Sequence, residues 1–102
     1  MRKLFEKTAN EIVTSLKRAE ITPLDCLDAL EARIAAVDSL VNALPTLCFD
    51  RARQHARNLM HKPIAERGML AGLPIPIKDL VNVAGVRSTQ GSPIFASHIA
   101  EK

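Results

Sequence analysis

At 102 residues the chain is long enough for one small domain with a modest core and no more. Hydrophobic residues at 47% and charged residues at 25% describe a folded globular chain rather than a disordered one. The net charge of +3 is spread among acids, as in Lys17-Arg18 beside Glu20 or Arg33 beside Glu31, which argues against a phosphate-binding patch. Aromatic residues make up 3%, with no Trp or Tyr, so a base-stacking platform is also disfavoured and no nucleic-acid partner is expected. Cys26 and Cys48 form no CxxC pair and no histidine cluster stands at ligand spacing. Neither a disulfide framework nor a zinc site is suggested, no cofactor is expected, and a reduced, cytoplasmic setting fits best. Met1 to Lys7 lacks the apolar core of a signal peptide and no run reaches membrane-spanning length, so neither export nor a membrane partner is expected.

In chain order, Thr8 with Glu11 three residues on makes a capping-box pattern, and Ile12, Val13, Leu16 and Ala19 follow on one stripe, which predicts a helix over about 9–18. Thr22, Pro23 and Asp25 supply an N-cap, a first-position proline and an acid at the third position. Leu24, Leu27, Leu30, Ile34, Val37 and Val41 then recur at helical spacing to about residue 40 or 41, and the two helices form an αα-hairpin. Asn42 to Pro45 breaks the period, and Thr46-Leu47-Cys48-Phe49 reads as a short strand. Asp50 is the expected N-cap of a third helix whose Ala52, Ala56, Leu59 and Met60 share a side and which ends before Pro63. His55 and His61 lie beside that stripe without acidic or thiol partners at ligand spacing, as packed or solvated helix residues do.

The segment Gly72-Leu73-Pro74-Ile75-Pro76-Ile77-Lys78-Asp79 reads as an apolar strand over 73–78 ending on a lysine. Leu73, Ile75 and Ile77 share one face and Pro74, Pro76 and Lys78 the other. The two prolines leave one edge without donors, so one flank of this strand is expected to be unpaired or bulged. An ammonium at the end of an apolar strand is desolvated, and a lysine whose charged form is disfavoured is a usable base. The alternative is that Lys78 marks where the strand reaches water and snorkels. Asp79 favours that alternative, since a neighbouring carboxylate would hold the lysine charged.

Together with Val83-Ala84-Gly85-Val86 and Ser88-Thr89-Gln90-Gly91-Ser92, this segment closely resembles the front of the amidase signature family, with its G-[IL]-P-x-x-[IV]-K-D block, a short glycine turn and a T-x-G-S block. Leu80 stands where an asparagine is common after Lys-Asp, and Asn82 where many members have aspartate. The resemblance implies an α/β class in which helices pack on a mixed sheet that is largely missing from this chain. Residues 1–102 would be a single incomplete domain, with 1–69 mainly helical and 70–102 the start of the amidase core carrying the catalytic-lysine strand. It also implies cleavage of carbon–nitrogen amide bonds by a serine nucleophile, a second serine that relays the proton, and a catalytic lysine at Lys78. The Gly/Ser-rich signature that carries both serines in the family is not among these residues; Ser88, Ser92 and Ser97 are the only serines after Lys78. Ser92 is the formal nucleophile candidate, but its family position makes it a loop residue. On this reading the chain is an N-terminal fragment that acts on a small-molecule amide only when completed by a downstream region, and that self-associates when isolated. The alternative is a truncated remnant without catalysis, or an interaction module built on the helical hairpin. A helix-turn-helix DNA binder is disfavoured by the turn at 20–23, which has no glycine, and by the acidic start of the second helix.

Overall fold

The computed structural model describes residues 3–102; Met1 and Arg2, part of the N-terminal run considered above, lie outside them. Three helices carry the fold, α1 (Ala9–Lys17), α2 (Pro23–Val41) and α3 (Phe49–Met60), with short 3₁₀ turns at Leu4–Glu6, Ile64–Glu66 and Pro93–Phe95. α1 starts where its capping box sets it: the Glu11 N–H donates to Thr8 Oγ1 at 3.1 Å and the Thr8 N–H donates to Glu11 Oε1 at 3.3 Å. It ends in a reversal with Ala19 left-handed at φ 57°, where the N–H groups of Ala19 and Glu20 donate to the carbonyls of Leu16 and Ser15. That is a Schellman closure made without glycine. Two residues later Thr22 and Asp25 repeat the box at 3.1 and 2.8 Å, and Pro23 opens α2. α2 stops at Asn42, also left-handed, while the Asp38 carboxylate accepts the Ala43 N–H at 2.9 Å.

The third helix begins earlier than its acid suggests. Cys48 is the N-cap, without a side-chain hydrogen bond, and Asp50 lies inside the first turn, where a carboxylate still meets the positive end of the helix dipole. Phe49 is thereby drawn into helix, and the strand expected over 46–49 is not formed. Across α2 and α3, Arg53 forks to Asp28 at 2.6 Å and to Glu31, two acids one turn apart on α2. These hydrogen bonds hold the guanidinium still more firmly protonated than usual.

The core gathers where α1 meets α2. Leu16 is fully buried, Cys26 and Ala71 nearly so, and Ile12, Val13, Ile21 and Leu73 pack around them. Complete burial of a leucine side chain contributes about 1.5–3 kcal/mol. Ala71 and Gly72 bring the later half of the chain onto this hairpin. Gly72 sits at φ +107° with its α-carbon so near the buried Pro23 ring that a Cβ would lie 2.5 Å from Pro23 Cγ and 3.2 Å from a Leu59 methyl.

Beyond Gly72 the expected sheet is absent from the described residues: 73–78 pairs with no neighbour, and the one β-bridge is antiparallel, between Arg87 and Ile99. A strand is stable only when another satisfies its backbone groups, and Pro74 and Pro76 already lack two donors. The mixed sheet of the expected α/β class therefore does not appear, and what is observed is a helical half with an irregular extension. The radius of gyration, 15.0 Å, exceeds the roughly 13 Å of a compact domain this size. Large apolar side chains remain in water along the extension, among them Met69, Ile75, Ile77, Leu80 and Ile94.

Gly72→Ala tests the junction. The change adds a clash with a rigid proline ring to a backbone angle that L-residues avoid, so denaturant unfolding followed by circular dichroism should report a loss of about 1–3 kcal/mol. Gly68→Ala, where an added Cβ meets nothing within 4 Å, is the matched control.

Candidate active site

Leaving the Gly72 junction, Leu73 and Pro74 are half-buried, whereas Ile75, Pro76, Ile77 and Lys78 are exposed. The desolvating apolar face expected around Lys78 is therefore not present: the run makes no sheet, and both its faces stay open. The lysine side chain reaches solvent, and no hydrogen-bond or ion-pair partner engages it among the described residues. Its carbonyl accepts the Val81 N–H at 2.9 Å, which closes a turn directly after it. Two clefts of about 100 and 150 Å³ open beside the helical hairpin, at Leu16, Pro23 and Met60 and at Phe5, Leu30 and Leu73, and Lys78 lines neither.

Asp79 behaves differently from its neighbour. Its carboxylate engages the Ser88–Gly91 loop, where it accepts the Thr89 N–H at 3.0 and 3.1 Å and also the Thr89 hydroxyl. The Asp79 carbonyl accepts the hydroxyl of Ser88, which is buried, at 3.5 Å. Thr89 Oγ1 in turn accepts the Gly91 N–H at 3.3 Å. The Lys-Asp block and the Thr-x-Gly-Ser block are thus joined by one carboxylate. Sequence reasoning treated Asp79 as a partner for Lys78 and missed this link, although an acid in one block and a hydroxyl in the next carried the signal.

The loop is held from its other side by short antiparallel pairing. The Gly85 N–H donates to the Ala100 carbonyl at 2.7 Å, the Ala100 N–H to the Val86 carbonyl at 3.1 Å, and the Ser88 N–H to the His98 carbonyl at 2.9 Å. Arg51 of α3 donates to the Ala84 carbonyl, and Arg87 donates to the Ala96 carbonyl and, at 3.3 Å, to the Thr46 hydroxyl. Ser92 caps the turn at Pro93–Phe95: its hydroxyl accepts the Ile94 N–H at 3.3 Å. Among the described residues no base is directed at it, and its geometry is that of a loop residue. His55 and His61 are exposed on and just after α3. Among the described residues no three His, Cys, Asp or Glu side chains converge as a metal site would require. No helix among them is long and apolar enough to cross a membrane.

The Thr89 hydroxyl, more than any other neighbour, holds the Asp79 carboxyl below the usual carboxylate value of 3.8, against a smaller opposing effect of desolvation. A depressed folded-state pKa contributes stability that is present above the unfolded value and lost as pH falls through the folded one. Stability should therefore decline below about pH 3.8 more steeply in the parent than in Asp79→Asn, as read from urea midpoints across pH 2–6.

The model of a family described as Amidase matches residues 25–102 of this chain. Among curated proteins, the A-subunit of glutamyl-tRNA(Gln) amidotransferase from Shouchella clausii is 40% identical over 92 residues, covering 90% of this chain and 19% of the relative. The proteins of the same name from Geotalea daltonii and Geobacter sulfurreducens are 37% and 38% identical over 98 residues, each match covering 94% of this chain and 20% of the relative. The chain thus spans about a fifth of the length of the curated relatives it matches. No solved structure matches it. The family match contains α2 from Asp25 onward, α3, Lys78 and the Asp79–Thr89 link together, and the chain belongs to the amidase family.

Proposed function

We propose that this chain supplies the general base of an amide-cleaving enzyme, with Lys78 as that base. The observation that carries the reading is the joining of the two family blocks by Asp79 and Thr89, which leaves the lysine amine beside them without a partner among the described residues. A hydroxyl is a weak nucleophile until a positioned base takes its proton. A neutral amine at Lys78 would accept that proton through a relay serine, and backbone N–H groups would hold the tetrahedral oxyanion. Both serines would come from the Gly/Ser-rich signature that these 102 residues lack. The bond cleaved is the carbon–nitrogen bond of a carboxamide; the acyl-enzyme then passes to water or to another acceptor. The name the relatives share narrows this to amide transfer on glutamyl-tRNA(Gln), with this chain as part of one component of an amidotransferase. The tRNA would be met elsewhere in such an assembly, because this stretch offers neither an aromatic platform nor a basic stripe.

The α/β sheet implied by the family would supply the neighbouring strand that 73–78 lacks here. It would bury Ile75 and Ile77 and remove water from Lys78, restoring the desolvation that a lysine base needs. A cytoplasmic setting agrees with the two free thiols, Cys26 and Cys48.

The test is a chimera in which these residues replace the matching segment of the Shouchella clausii relative, assayed by ammonia release from small carboxamides. Lys78→Ala should lower turnover by about 10²–10⁴-fold. Lys78→Arg should be nearly as inactive, because a guanidinium remains protonated at any workable pH. Substantial turnover in a folded Lys78→Arg chimera would overturn the base assignment and favour a module without catalysis.

The isolated 102-residue chain should show no turnover above its own Lys78→Ala control. Sedimentation should show association rising with concentration, because its apolar extension is uncovered.

A further inference from the structure

We propose that Asp79 and Thr89 act as a positioning pair for Lys78, with Thr89 holding the Asp79 carboxylate away from the adjacent amine so that the lysine is not locked into an ion pair. The proposal rests on the reading of Lys78 as the base. Two adjacent residues in an irregular segment are free to bring their charged ends together, and a carboxylate within about 4–6 Å of an ammonium stabilises the charged form by roughly 1–3 pKa units. Such a pair would disable a lysine that must be neutral to accept a proton. In this structure both carboxylate oxygens of Asp79 are committed instead, one to the Thr89 N–H and the other to the Thr89 N–H and hydroxyl. The groups that bear on the carboxylate are all neutral: the hydroxyl and N–H of Thr89, the Ser88 hydroxyl and the Gln90 N–H. Of the arginines in this neighbourhood, Arg87 points to the Ala96 carbonyl and the Thr46 hydroxyl and Arg51 of α3 to the Ala84 carbonyl. Lys78, adjacent in sequence and without a partner of its own among the described residues, is the cation placed to compete for Asp79 if Thr89 lets go.

The pair also fixes geometry. Asp79 is bound through its carboxylate and through its carbonyl, which accepts from buried Ser88, so the peptide that follows Lys78 is held at two points. The Ser88–Thr89 stretch is itself tied by the Ser88 N–H to the His98 carbonyl. An otherwise unpaired, exposed lysine segment therefore acquires a defined end.

The chimera described above tests the pair through the acid limb of its turnover–pH profile, which follows the lysine's deprotonation. Thr89→Val keeps the side chain's shape and removes the hydroxyl. It should move the limb upward by about one pH unit, or roughly tenfold lower turnover at a fixed pH on that limb. Thr89→Ser restores a hydroxyl and should return the limb. Asp79→Asn removes the competing charge, so it should leave the limb within about half a unit of the parent and abolish the shift when combined with Thr89→Val. A purely structural role would lower turnover evenly and leave the limb in place. A folded Thr89→Val enzyme with an unmoved limb would overturn the proposal. Should Thr89→Val not fold, Asp79→Asn decides: a downward move of about one unit would show that Asp79 already pairs with Lys78 in the parent, against the proposal. Failure of the base reading is seen separately, as turnover retained by Lys78→Arg.

Discussion

The close approach of Gly72 to Pro23 is the contact on which the rest of the molecule depends. Pro23 is held in place by the capping box that starts α2, and its ring is buried. Only a residue without a Cβ, in a backbone conformation open chiefly to glycine, lets the chain pass so close beneath it. Ala71 enters the core one residue earlier and Leu73 packs on it one residue later. Without that anchor the lysine-bearing extension would be tied to the helical half only by the polar contacts of Arg51 and Arg87, since it makes no sheet of its own.

From the anchor outward, order is handed on by polar contacts rather than by burial. Arg51 reaches from α3 to the Ala84 carbonyl, Arg87 spans from the Ala96 carbonyl to Thr46, and Asp79 closes on Thr89. Each is a charge-assisted hydrogen bond between segments apart in sequence, and such bonds are directional in a way that apolar packing is not. The extension thus keeps a defined path while its large apolar side chains face water. An exposed apolar surface of this extent is of the kind that a further surface covers.

The helical half was legible in the sequence because its signals are local. Thr8 with Glu11, and Thr22 with Pro23 and Asp25, act within four residues, and the helices they start lie within a residue of where periodicity places them. Cys48 displaced Asp50 as the cap of α3 because Phe49 joined the helix, a choice that a four-residue window of apolar and β-branched residues leaves undecided. The strand over 73–78 could not be settled from its own residues, since alternation describes a capacity to pair and not the presence of a neighbour. At the site, motif spacing drew attention to Lys78. The Asp79–Thr89 link spans ten residues across an irregular turn, and no periodicity rule connects such positions.

The two cysteines differ in a way that reaches beyond packing. Cys48 is exposed at the start of α3, while Cys26 lies inside the core, its thiol pushed up from its ordinary value first by burial and then by the Asp25 carboxylate. The thiolate is the reactive form, so Cys26 is doubly shielded, by lack of access and by lack of ionisation. An alkylating reagent would mark Cys48 at once and Cys26, which borders the cleft at Phe5, Leu30 and Leu73, far more slowly. Within a single chain, one thiol then serves as the reference and the other as a gauge of how tightly the core that supports the lysine segment is closed.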